Sequence, residues 1–151
     1  MPGSGTVTIK APDVARVMGG ERTLRRRIRT LADLRRAVDD GLPAAALEQT
    51  VRHVAGAGQA ATELKYRIVP KTTLQRRGER LSPEESQRVE RLARMTALAE
   101  AVWENQVLAH EFLTSPQPQL AGERPVDLAM SDLGTREVED LLFRLEYSLP
   151  V

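Results

Sequence analysis

The sequence predicts an all-α protein, and three observations carry that expectation. Leu (19 residues) and Ala (18) dominate while Ile (3) is scarce, a bias toward helix over sheet. Apolar residues recur at three- and four-residue spacings through most of the chain. Glycine and proline fall at the ends of those periodic stretches. The 151 residues suffice to bury a sizeable core, and with aromatics at only 3% that core must be built from Leu, Ala and Val.

The elements follow in order. Residues 1–22 contain Pro2, Gly3, Gly5, Pro12, Gly19 and Gly20, which predicts an extended or poorly ordered leader. A short strand is compatible with the alternation of Thr6, Val7, Thr8 and Ile9. Leu24–Thr30 is dominated by arginine and reads either as an irregular basic segment or as a helix start. Thr30 can cap a helix over Leu31–Asp40, with Leu31, Leu34 and Val38 on one face. Gly41 ends it, and Pro43 suits the first position of the next helix. That helix turns Ala46, Leu47, Thr50, Val51 and Val54 inward, and Gly56 and Gly58 stop it. Short helices follow over Gln59–Arg67, with Ala61, Leu64 and Ile68 inward, and over Lys71–Arg77, anchored by Leu74. Pro70 separates the two. Ser82-Pro83-Glu84-Glu85 is a strong helix start: a cap, a proline at the first position and a glutamate three residues after the cap. The helix it opens runs to Trp103 and buries Val89, Leu92, Thr96, Ala99, Val102 and Trp103. Asn105 interrupts, and a further helix carries Val107, Leu108, Phe112 and Leu113 to Thr114. Residues 115–122 form a loop by composition. Pro125 opens a short turn, and Thr135 caps a last helix with Val138, Leu141, Leu142 and Leu145 inward.

Charge divides the chain. Residues 1–80 carry 16 Lys and Arg against 8 Asp and Glu, whereas residues 81–151 carry 6 against 13. Such asymmetry points to a polyanion-binding front and an acidic region with another role. No cysteine is present, so disulfides and thiolate metal sites are excluded. The two histidines, His53 and His110, lie far apart in sequence, which argues against a His-based metal site; both are expected on helix surfaces, and no metal or other cofactor is expected. Catalysis finds no support. Ser86, Ser131 and Ser148 have no neighbouring His and no nucleophile-elbow glycines. Gly19-Gly20 and Gly56-Ala57-Gly58 lack the lysine or third glycine of a phosphate loop. No apolar run is long enough to span a membrane. Met1–Lys10 lacks the pattern of a secretory signal, so a cytoplasmic location is expected.

Two regions carry chemistry. The helices 59–67 and 71–77, joined through Ile68-Val69-Pro70, have the lengths of a helix-turn-helix. Its second helix offers Lys71, Thr72, Thr73, Gln75, Arg76 and Arg77, with Arg80 just beyond. Lys71 and Arg77 can neutralise phosphates, and Gln75 and Arg76 can make paired hydrogen bonds to base edges. The acidic half ends in an apolar tail, Leu149-Pro150-Val151, suited to a partner's pocket.

These residues resemble a known family. Ala109-His110-Glu111-Phe112-Leu113, Pro116-Gln117-Pro118-Gln119-Leu120, Gly122, Arg124-Pro125-Val126-Asp127-Leu128-Ala129, Gly134, Val138, Leu141-Leu142 and Arg144-Leu145-Glu146-Tyr147 resemble the toxin-binding domain of the Xre/MbcA/ParS-type antitoxins. Gly41-Leu42-Pro43, Ile68 to Arg77, Arg80 to Ser86 and Arg88 extend the likeness, which covers roughly residues 24–148. It implies a helix-turn-helix DNA-binding region over 23–80, a helical toxin-binding and dimerisation region over 81–151, and a homodimer that represses its own operon at operator DNA. It implies a RES-domain toxin, which degrades NAD, as partner. It also implies a blocking segment, Leu145, Glu146, Tyr147, Ser148, Leu149, Pro150 and Val151, that enters the toxin's cleft. The sequence departs from the family at Ser148, where glycine is usual, at Phe112-Leu113, where Trp-Leu is common, and at Ala121-Gly122, where Gly-Gly is common. The alternative is a stand-alone dimeric helix-turn-helix regulator with no toxin partner.

Overall fold

The structure, a computed structural model, describes residues 7–147. It is all-α, and among the described residues no strand forms. The helices are α1 (Ala11–Val17), α2 (Gly20–Leu24), α3 (Leu31–Asp40), α4 (Ala44–Ala55), α5 (Gln59–Ile68), α6 (Lys71–Arg77), α7 (Pro83–Trp103), α8 (Gln106–Thr114), α9 (Pro125–Leu128) and α10 (Asp132–Glu146), with a 3-10 turn at Pro118–Leu120.

Helix α7 is the spine. It packs against α1, α3, α4, α5, α8 and α10. Its middle is apolar all round: Met95, Thr96, Ala97, Leu98 and Ala99 are buried in succession, the pattern of a helix enclosed by others. Its start is built as the local chemistry dictates. Ser82 accepts the Glu85 N–H at 3.1 Å, and the Glu85 carboxylate accepts the Ser82 N–H at 2.9 Å. Three arginines on α7 then reach outward to three neighbours. Arg88 donates to the Ile68 carbonyl at the end of α5 (3.0 Å). Arg91 donates to Ala129 and Met130 after α9 (3.2 and 3.0 Å), and Arg94 to Glu139 of α10 (2.9 Å). Cations at helix C-termini satisfy carbonyls that the helix itself leaves open.

The leader reading gives way over residues 7–22; residues 1–6 lie outside the described part. Pro12 sits in the first turn of α1, where a missing N–H breaks no helical bond. The Lys10 N–H donates to Asp13 at 3.0 Å, and Ala11, Val14, Ala15, Val17 and Met18 are buried. Val7 and Ile9 pack partly on the core without forming a strand. Leu24–Thr30 resolves into the end of α2 followed by irregular chain.

Elsewhere the differences lie in faces and caps. Leu31 is 76% exposed and Val107 72%, because Ala37 and Ala109 take the inward places on α3 and α8. Leu108 is likewise exposed. Ser131, not Thr135, caps α10, accepting the Gly134 N–H at 3.0 Å, so the helix starts a turn earlier. A Cβ on Gly134 would collide with the Leu128 carbonyl, which is how α10 approaches α9 so closely.

One core runs from Ala11 to Leu142 and does not divide at residue 80. The segments on either side are in fact tied there. Leu81 N–H donates to Leu42 (2.8 Å) and Ala44 N–H to Glu79 (2.7 Å), an antiparallel bridge between Pro43 and Arg80. Gly41 permits it: φ is +91°, and a side chain would meet the Leu81 carbonyl. Ser86, wholly buried on α7, accepts the Leu42 N–H at 2.8 Å.

Candidate functional site

Helices α5 and α6 form the expected pair around Val69 and Pro70. Ile68 and Val69 are fully buried, and the Arg88 bond to Ile68 fixes the end of α5. Leu74 is the partly buried anchor of α6, which has no fully buried residue. The rest of α6 therefore faces outward. Lys71, Thr72, Gln75, Arg76, Arg77 and Arg80 are exposed, and Thr73 is half-buried.

Their partners sort them. Arg77 Nε donates to both oxygens of Glu85, at 2.9 and 3.1 Å. Burial pushes the Glu85 carboxyl up, but the Arg77 guanidinium and the Ser82 N–H outweigh it and hold the group below the ordinary carboxylate value. Arg80 donates to the Gly41 carbonyl at 2.5 Å. Lys71 Nζ stands 6.0 Å from the Tyr66 ring centroid. The Gln75 and Arg76 side chains make no hydrogen bond or ion pair within the described residues, which leaves their donors open to an external acceptor. Beside the end of α6, a cleft of about 360 Å³ is lined by Thr23, Arg25, Pro43, Gly78, Glu79 and Arg80, among others. Arg80 and Arg25 thus extend the positive charge of α6 along this cleft, with the exposed Glu79 set between them and α6.

Much of the remaining positive charge is matched locally. Arg26 pairs with Asp40 (2.9 Å), Arg35 with Asp39 (3.8 Å), Arg36 with Asp33 (3.4 Å) and Lys65 with Glu48 (2.9 Å). Arg67 pairs with Asp127, across the two halves. The excess over residues 1–80 is therefore narrower as a surface than as a count.

In the acidic half, α10 turns Val138, Leu141 and Leu142 inward, and Leu145 continues that face, half-buried against the core. Leu145 is thus a helix residue packed partly on its own chain. Glu146 is half-buried, and Tyr147 is 41% exposed with its hydroxyl accepting the Val7 N–H at 3.1 Å. Ser148, Leu149, Pro150 and Val151 lie outside the described residues. Trp103, expected in the core, is 37% exposed, its ring 6.0 Å from that of Phe112.

The histidines depart furthest from expectation. His53 on α4 and His110 on α8 are half-buried, and both Nε2 atoms bond the same Glu100 oxygen on α7, at 2.6 and 2.7 Å. Burial pushes the Glu100 carboxyl up, but the two imidazoles together hold it below its usual value. Nothing in the linear spacing of these three residues announces their meeting; the helical faces of His53 and Glu100, once three helices are packed, are what bring them together.

Two family models match the chain. An antitoxin Xre-like helix-turn-helix domain covers residues 33–94, and an antitoxin Xre/MbcA/ParS C-terminal toxin-binding domain covers residues 98–147. The two meet inside α7, the helix both halves share. A relative named antitoxin Xre, from Pseudomonas putida (strain KT2440), is 36% identical over 81 residues, 52% of this chain and 51% of that protein. The chain thus spans about half the length of the curated relative it matches.

Proposed function

We propose that the chain is a type II antitoxin of the Xre/MbcA/ParS kind, one that binds operator DNA through α6 and silences a RES-domain, NAD-degrading toxin through its C-terminal end; the matches to an Xre-like helix-turn-helix domain and to the toxin-binding domain of that family support the reading. The observation that carries the reading is the outward face of α6, with Gln75 and Arg76 uncommitted, on a helix tied to the start of α7 through the Arg77–Glu85 ion pair. Gln75 and Arg76 have the donor geometry to read base edges, while Lys71, Arg80 and Arg25 supply charge for phosphates. A homodimer would place two such helices on the half-sites of a palindrome. Toxin silencing works by filling a nucleotide-sized cleft: Tyr147 is exposed at the end of α10, and residues 148–151 continue beyond it. Glu146 suits cleft arginines, and the apolar tail side chains are worth about 1.5–3 kcal/mol each when fully enclosed.

One experiment with two arms tests both halves. The chain lacking residues 148–151 is co-expressed with the toxin of the neighbouring reading frame; this deletion spares Leu145 and its packing. Growth should fail while the truncated chain keeps its helical signal, and continued protection would overturn occlusion by the tail. Arg76→Ala should keep protection but lose about 1–3 kcal/mol at the operator at fixed salt. Unchanged operator affinity would remove the base-reading role.

A further inference from the structure

We propose that His53, Glu100 and His110 form a binding site for a divalent cation of the zinc class. The chain has only two histidines and no cysteine, and both histidines end on a single carboxylate oxygen. The three potential ligand atoms lie within 4.8 Å of one another. The rings stand edge to face, centroids 5.3 Å apart at 63°, and both Nε2 atoms converge on the Glu100 Oε2 side of the cluster. Each ligand comes from a different helix, α4, α7 or α8, and those helices are locked by the buried Val54, Ala99, Ala109 and Leu113 next to the site. The ligand positions are therefore set by the core.

The chemistry selects the ion. Two imidazole nitrogens and one carboxylate oxygen suit zinc and its borderline neighbours, whereas calcium and magnesium call for oxygen ligands, and copper(I) for thiolates or thioethers. Three protein ligands leave a fourth tetrahedral position for water. Access matches that need: the Glu100 side chain is 10% exposed and each His side chain 23%, shielded but reachable. Glu100 also lines a surface cavity of about 340 Å³ together with Asp13, Arg16 and Glu104, so one side of the cluster borders solvent. Without metal, both Nε2 atoms must carry protons to donate to one oxygen. A cation at the centre takes the place of those protons, each neutral ring shifting its proton to Nδ1 by exchange with solvent and coordinating through the freed Nε2. With bonds of about 2.0–2.1 Å in tetrahedral arrangement, the ligand atoms stand about 3.3 Å apart. From the present 2.6 and 2.7 Å that is a side-chain adjustment, with no helix required to move. The bound ion would clamp α4 to α7 and α8, joining the helix-turn-helix region to the toxin-binding region.

The test uses the full chain freed of any polyhistidine tag. Zinc chloride is titrated in while the histidine ring nitrogens are followed by NMR and the heat of binding by calorimetry. One equivalent should bind, both Nε2 resonances should change as their protons leave, and Tm should rise by about 5–10 °C at a hundredfold excess over Kd. Cobalt(II) in place of zinc should give the intense visible absorption of a four-coordinate site. His53→Gln should weaken zinc binding by at least about tenfold, the least that loss of even an outer partner costs. Unmoved Nε2 resonances at millimolar zinc would overturn the site. So would full-strength binding by His53→Gln, which would place the ion elsewhere. Should that variant misfold, the NMR of the unsubstituted chain still decides. Neither outcome depends on the antitoxin reading.

Discussion

Arg77 and Arg76 are neighbours of the same type with different work to do. Arg77 spends its Nε on the Glu85 carboxylate, which in turn holds the Ser82 N–H at the start of α7. Arg76 has no such tie, so a substitution there leaves the start of α7 intact, while one at Arg77 also disturbs folding. The Glu85 carboxyl lies below its ordinary value in the folded chain, so its charged form stabilises the fold. That contribution is complete above the unfolded carboxylate value and disappears as pH falls through the lower, folded one. Arg77→Gln should therefore lower Tm at pH 7, and the gap to the parent chain should close as pH is taken down toward 3. Thermal melts of both chains across that range give the answer, and a gap that stayed constant with pH would show that Arg77 acts through packing and not through Glu85.

At the scale of the helix, what could be read from the sequence was what local chemistry decides. The bounds of α3, α6 and α7 follow from Thr30, Gly78 and the Ser82 capping box, all within a few residues of the ends they set. Ser82→Ala should accordingly cost about 1 kcal/mol, a fall of about 2–4 °C in Tm, measured by thermal unfolding. A larger loss would mean that freeing Glu85 also releases Arg77 and the end of α6. What was not legible depends on neighbours distant in sequence. Pro12, Gly19 and Gly20 look like punctuation in a leader, yet α1 forms because α7 offers it an apolar face. Leu31, Val107 and Leu108 fit a helical stripe as well as their buried neighbours do, and only the packed arrangement shows that the stripe turns a few tens of degrees past them. The outward residues of α6 were readable because exposure of a short basic helix follows from its having a single apolar residue, Leu74. The His53–Glu100–His110 cluster was not, because it exists only where α4, α7 and α8 converge.

Across the whole molecule, the change of charge near residue 80 coincides with no break in packing. Helix α7 contributes to the surroundings of α1, α3, α4 and α5 on one side and of α8 and α10 on the other. Val89, Leu92 and Met95 are fully buried near its middle, and the bridge at Pro43 and Arg80 ties the chain across the charge boundary. Arg67 and Asp127 form an ion pair across the same boundary. Two autonomous domains would each need a core of their own; here the cores are one cluster, running from α1 to α10. Cooperative unfolding follows from that continuity, since opening either half exposes apolar surface on the helix that the other half needs. Calorimetry of the full chain should give a single transition whose calorimetric enthalpy equals its van't Hoff enthalpy. Two resolved transitions, or a calorimetric enthalpy well above the van't Hoff value, would mean that the halves melt separately and that α7 belongs to one of them. A single transition has a functional consequence as well: any ligand that binds only the folded state, at α6 or at the C-terminal end, must stabilise the entire chain and not just the half it touches.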